Sequence, residues 1–426
     1  MSRFDLQILD PVTVDDRVER AAMLGSPGRR DKRIWFSVEE RHRALLSDRA
    51  DPFVLGALRH ATRRGRSLHV RGAPTSPSLL ANLGELQLAW RQWYGTDSVE
   101  LDSDEVAEGA PSDMGALVAF SGGVDSAYTL YGHGAGRAGG RSAAVMVHGF
   151  DIPLDDVDGF AGASARARRM TDSLGVELVL LSTNVRELNS PWPHFHGPAL
   201  ASALTLLSAR SSVGLIAASG SYFPLTVPWG SNPVSDPLLG SESFAIRHHG
   251  AGATRTEKLQ ALASWPEAMD SLRVCWSGPR NDRNCGTCRK CVTLALMCRS
   301  LGIEPRFFDG PISERAIMTM VRRAPGDDFS AEYRRLTLEA ATRRGIDEPW
   351  VRSIRWTLRR HRLRCAWREL RGSGGRPARD TSGRLGIVNR HRELRAPLRR
   401  RLRKGRRTMR RSMHRLRSSV SLPWRR

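Results

Sequence analysis

Ala119-Phe120-Ser121-Gly122-Gly123-Val124-Asp125-Ser126 is the stretch whose reading decides the fold of this chain. An apolar run over residues 115–120 leads into it, and a helix-compatible run over 127–131 follows. The order is strand, glycine-rich turn, helix. Two adjacent glycines let the backbone approach an oxyanion closely. The start of the next helix offers unpaired N–H groups and a positive dipole end, and Ser121 and Ser126 add hydroxyl donors. Such a nest suits pyrophosphate. A Gly-Gly turn closed by an Asx or Ser cap is the plain alternative. A six-residue match between a strand and a helix favours the phosphate loop, and the missing Lys-Ser/Thr excludes a Walker A loop.

Outward from that stretch the pattern alternates between strand and helix. Strands are expected at 115–120, 143–147, 176–181 and 214–218, with helices near 124–133, 157–174 and 197–208. That alternation predicts an α/β fold with a doubly wound parallel sheet, whose ligands sit beyond the carboxyl ends of the strands. Residues 1–110 read as a small N-terminal α/β domain, with β-type runs at 4–9, 34–38 and 67–70 and helices at 51–62 and 76–93. An acidic linker over 105–113 separates it from the central domain, 114–305. A helical extension over 311–370 and a basic tail over 371–426 complete the chain.

The formal charge of +23 is concentrated at one end. Residues 351–426 hold 27 Lys and Arg against 3 Asp and Glu, while the first 350 hold 40 against 41. The body is therefore neutral. A tail of that composition is expected to be disordered in isolation and to bind nucleic acid or an anionic surface without sequence preference. No run is apolar for the eighteen or so residues a membrane span needs. The N-terminus lacks the plan of a secretory signal, so a cytoplasmic location is expected.

Cys275, Cys285, Cys288 and Cys291 are spaced C-x9-C-x2-C-x2-C, which points to convergence on one ion. A closed set of four thiolates suits a structural zinc, with an iron–sulfur cluster as the competing occupant. Residues 217–243 form a long loop rich in Gly, Pro and Ser, read as substrate-facing. Asp236 is its best carboxylate for an ion or a substrate amine. His194 and His196 lack a third metal ligand. Thr254 and Glu257 fit a capping box that starts a helix, which places Arg255 and Lys258 on one face.

The Ser-Gly-Gly-x-Asp-Ser loop and the four-cysteine cluster together resemble the PP-loop ATP pyrophosphatase superfamily. The pattern is most similar to 7-cyano-7-deazaguanine synthase and ExsB-type proteins, over about residues 115–305. The resemblance implies a Rossmann-like fold of the HUP type, with Ser121, Gly122, Gly123, Val124, Asp125 and Ser126 as ATP ligands and the four cysteines as zinc ligands. It also implies that Val147 and Asp151 lie against the adenine and ribose, although Asp151 alone reads equally well as a turn cap. Lys258 is favoured to sit over the phosphates. The expected cofactors are ATP, Mg²⁺ and Zn²⁺, with Asp125 or Asp236 as magnesium ligands and Asp125, Lys258 and Asp236 as catalytic residues.

The function expected on this basis is ATP-dependent adenylation of a carboxylate or amide-type oxygen of an unidentified small molecule. Pyrophosphate leaves, and a nitrogen nucleophile then displaces AMP. The alternatives are a tRNA-modifying enzyme that grips RNA with the tail and a non-catalytic nucleotide-binding module. The chain departs from the family in its N-terminal hundred residues, its 228–236 loop and its tail.

Overall fold

A computed structural model describes residues 3–28, 30–110, 115–134, 142–188, 191–222, 228–275 and 277–371. The basic tail beyond residue 371, residues 111–113 of the linker and residues 223–227 of the long loop lie outside the described residues.

Eleven strands form one sheet among the described residues. In chain order they are β1 (Arg3–Ile8), β2 (Val12–Val14), β3 (Arg17–Gly25), β4 (Lys32–Glu39), β5 (Ser67–Arg71) and β6 (Leu101–Ser103), then β7 (Ala116–Ala119), β8 (Ala143–His148), β9 (Glu177–Thr183), β10 (Val213–Ala217) and β11 (Ala245–His249). Across the sheet they stand β11-β10-β7-β8-β9-β4-β3-β1-β5-β6, with β2 beside β3. β7 to β11 run parallel. Counted from the first of these five, the order is 3-2-1-4-5, in which successive connections reverse direction between the first and fourth strands. β7, at that switch point, is buried along its whole length, as a central parallel strand covered on both faces must be.

The sheet is mixed, and the all-parallel expectation holds only for this half. β4 joins β9 antiparallel, with Phe36 opposite Thr183 and Val38 opposite Leu181. Side chains seal the joint: Thr183 Oγ1 donates to the Trp35 carbonyl at 2.6 Å, and the Trp35 N–H donates to Asn184 Oδ1 at 3.1 Å. A β9 left at an edge would present unpaired backbone groups, and β4 covers them. The sheet thus continues into the first hundred residues.

Helices cover both faces. On one, Asp51–Arg64 packs on His196–Leu206, with Phe36, Phe53 and Phe195 fully buried between them and the strands. Each such side chain contributes about 2–3 kcal/mol of burial. On the other, Val124–Gly134, Val157–Ser173 and Arg255–Leu262 cover β7, β8 and β10. The helices Arg289–Leu301, Glu314–Val321, Asp328–Arg343 and Pro349–Arg371 share a separate core around Trp350. No described helix is long and apolar enough to cross a membrane.

Candidate functional site

The glycine loop leaves the carboxyl end of β7, next to β10 at the switch point. Gly122 has φ +71°, a conformation that costs other residues steric strain, and a Cβ built there would meet nothing within 4 Å. The outer side of the loop is therefore open. Its inner side is stapled: Ser126 Oγ accepts from the Ser121 N–H at 3.2 Å and donates to the Gly123 carbonyl at 3.1 Å. Ser126 is buried and committed to the loop, while Ser121 is exposed. Val124 is fully buried, so its backbone N–H is what it can offer a ligand. The first N–H groups of Val124–Gly134 have no intrahelical acceptor, and the helix dipole sets a positive end there.

Two cations converge on this loop. Arg255 Nη1 pairs with Asp125 Oδ2, and Lys258 Nζ lies 3.3 Å from Asp125 Oδ1. Lys258 also donates to the Ala218 carbonyl at the end of β10, at 2.6 Å, which places its ammonium between β7 and β10. The capping box forms as the sequence predicts: Glu257 Oε2 accepts from the Thr254 N–H at 2.7 Å. It sets the phase of this short helix, so both Arg255 and Lys258 turn toward Asp125, Lys258 buried and Arg255 partly so. Lys258 is nearly fully buried, and burial pulls its pKa below the ordinary lysine value while Asp125 opposes that shift. Helix Asp328–Arg343 packs over the pair, with Tyr333 under the Arg255 guanidinium at 5.4 Å and its hydroxyl donating to the Ser219 carbonyl at 2.8 Å.

Arg273 is a site residue that sequence reading missed. Its backbone N–H donates to the Gly122 carbonyl at 2.8 Å, which fixes the loop from below. Its guanidinium is buried, donating to the Cys275 and Asn281 carbonyls at 2.9 and 3.1 Å. Arg273 Nε has no partner among the described residues. Asp151, half-buried in the turn after β8, lies close enough for its charge to act on Arg273, Lys290 and His196. Val147 is half-buried against the core of its own face.

The four cysteine sulfurs lie within 4.8 Å of one another and can hold a metal ion such as zinc. Cys275 and Cys288 are 3.7 Å apart at sulfur, and Cys285 and Cys291 are 3.9 Å apart. The hydrogen bond between Cys291 and Cys288 draws the Cys288 thiol down and pushes the Cys291 thiol up, and burial raises Cys275, so the sulfurs share their protons unequally. Cys298 is core on the same helix.

Asp236 does not face a ligand. It is fully buried, accepting from Ser231 Oγ at 2.7 Å and the Asn232 N–H at 3.2 Å, with His248 Nδ1 at 2.7 Å. Its role is to fold the 231–236 loop and fix an imidazole at the carboxyl end of β11. His248 Nε2 has no partner among the described residues. An aromatic row runs alongside: Phe150 to Trp192 at 5.2 Å, His196 to Trp229 at 5.3 Å, and Trp229 to Phe329 at 5.2 Å. The loop meets His196–Leu206 so closely that a Cβ on Gly197 would run into the Gly230 carbonyl. His194 stacks on Tyr94 at 4.2 Å, and the two histidines at 194 and 196 do not form part of a metal cluster among the described residues.

No family model, no curated protein and no solved structure matches this chain.

Proposed function

We propose that this chain is an ATP-dependent ligase of the PP-loop type, which adenylates a carboxylate or amide-type oxygen and then transfers the activated group to a nitrogen nucleophile. One observation carries the reading: an open glycine loop at the switch point of a 3-2-1-4-5 sheet, with Arg255 and Lys258 turned onto the first turn of its helix. A lysine with two ammonium donors held by protein and a third left over, set against a helix start, suits a phosphate oxygen.

In the first step the acceptor oxygen attacks the α-phosphorus of ATP. The bond from that phosphorus to the bridging oxygen breaks, and its electron pair leaves on pyrophosphate. The loop N–H groups, Arg255 and Lys258 stabilise that growing charge. In the second step the nitrogen nucleophile attacks the activated carbon and AMP departs. His248 takes the nucleophile's proton at Nε2, because Asp236 Oδ2, 2.7 Å from Nδ1, accepts the imidazole hydrogen there. The aromatic row from Phe150 to Phe329 gives the acceptor its apolar wall.

The cysteines fit zinc. Four sulfurs at about 2.3 Å around one tetrahedral ion stand about 3.8 Å apart, close to the 3.7 and 3.9 Å separations here. A four-iron cluster puts each thiolate on a different iron and needs a wider spread. Zinc bound here would have no open position and would supply folding energy, tying the Arg273 segment to helix Arg289–Leu301. Neither aspartate fits a magnesium ion as it stands: Asp236 is buried and bonded, and Asp125 is held by two cations. Mg²⁺ arriving on the nucleotide would be held by its phosphate oxygens.

The test is pyrophosphate release from Mg·ATP with a panel of small carboxylic acids and amides plus ammonia, and in parallel with bulk tRNA. Release that depends on a small acid supports the ligase. Release that depends on tRNA favours a modifying enzyme, and ATP binding without release favours a module.

A further inference from the structure

We infer that the outer face of the last described helix, Pro349–Arg371, is a docking surface for anionic phospholipid. Trp350, Val351, Ile354 and Leu358 of this helix are buried in the C-terminal core. At about 100° per residue, Trp356, Leu363 and Trp367 fall within roughly 40° of one another and roughly opposite Ile354. They are 53%, 63% and 54% exposed. A row of large, half-exposed apolar side chains therefore lies along this face over about three turns.

Arginines line both sides of that row. Arg355 and Arg359 project on one flank, Arg360 and Arg364 on the other, all exposed. Arg360 reaches back over the Trp356 ring at 4.4 Å. No acidic residue occurs between Pro349 and Trp367. Arg352, lower on the same helix, pairs with Asp347, and His361 lies 3.7 Å from Asp328, so the acidic groups nearby meet the helix at its base and its inner side.

The chemistry discriminates between two polyanions. Arginine and tryptophan both serve nucleic-acid binding, through phosphate pairing and base stacking. A leucine at the centre of the row, in register with two tryptophans, has no such use and finds a partner in hydrocarbon. Tryptophan settles at headgroup depth, leucine goes below it, and the arginine stems lie along the apolar surface while their guanidinium groups meet lipid phosphates. The helix would lie in the interface plane without crossing it.

Flotation of the full chain with vesicles tests this surface. Binding is expected to vesicles of phosphatidylcholine with a quarter phosphatidylglycerol, and not to phosphatidylcholine alone. The Trp356→Ser/Leu363→Ser double variant should lose at least about tenfold in partitioning, given the apolar area withdrawn. Its melting temperature and circular dichroism should stay unchanged, because both side chains are exposed. Arg359→Gln/Arg360→Gln/Arg364→Gln should weaken binding and flatten its salt dependence. The inference is overturned by no binding to anionic vesicles. It is equally overturned if the double variant binds them as the parent does, or if the double variant loses affinity for bulk tRNA while keeping that for vesicles.

Discussion

Replacing Lys258 with Met separates ligand binding from folding. The ammonium has three donors. One goes to the Ala218 carbonyl at 2.6 Å and one to Asp125 Oδ1 at 3.3 Å, which leaves one for a phosphate oxygen. A unit charge about 4 Å from a phosphate is worth about 4 kcal/mol at an effective dielectric near 20. Exchange with water reduces a charged hydrogen bond to roughly 1.5–3 kcal/mol. Taking about 2.7 kcal/mol, the Kd for Mg·ATP should rise ~100-fold. Stability should change far less. Methionine fills similar space, a buried charge is removed with its desolvation cost, and Asp125 keeps Arg255 as a partner. Titration with a fluorescent ATP analogue gives the affinity, and calorimetric melting gives the stability, with a shift of a few degrees expected. A folded variant that binds within threefold of the parent would refute the assignment of Lys258 to the phosphates.

Further outcomes follow from the same geometry. Asp125→Asn removes the group that opposes the burial-driven fall in the Lys258 pKa. The folded variant then binds fewer protons than the unfolded chain over a wider range below 10.5, so stability rises with pH through that range. Its melting deficit should be largest near neutrality and shrink toward pH 10. Gly122→Ala should cost about 1 kcal/mol for the left-handed backbone, and leave the fold intact, yet weaken nucleotide binding at least tenfold because the new methyl fills the open side of the loop. Metal analysis should find one zinc per chain in colourless protein. Cys288→Ser should lose that metal and, through the Arg273–Gly122 hydrogen bond, also weaken ATP binding, although no cysteine touches the nucleotide; unchanged affinity in metal-free protein would break that link. His248→Gln should slow displacement of AMP by 10²–10⁴-fold, while leaving the first release of pyrophosphate intact, as rapid-quench separation of the two steps would record.

Local pattern made much of this fold legible. The apolar run before Ser121, the Thr254–Glu257 cap and the cysteine spacing each act over a few residues, and each is found where the sequence puts it. Contacts between distant segments were not legible. β3 escaped notice because Arg17, Glu19 and Arg20 interrupt its apolar alternation, and β11 because Arg247, His248 and His249 read as loop. The antiparallel β4–β9 joint links segments about 145 residues apart, and nothing in either strand announces its partner. Sequence alone places Arg255 on a helix face, and its Asp125 partner, 130 residues earlier, is what turns it onto the loop. Asp236 looked available in a polar loop, yet its neighbours Ser231 and Asn232 and the distant His248 consume its oxygens. Arg273 carries no motif, since its contact with the loop is made by backbone.

The most direct measurement is a crystal structure of the chain grown with a non-hydrolysable ATP analogue bridged between the α- and β-phosphorus. The account predicts triphosphate density within hydrogen-bond distance of the N–H groups of residues 122–126, with Lys258 turned toward it. Density elsewhere, or a glycine loop that stays empty at saturating analogue, would contradict it.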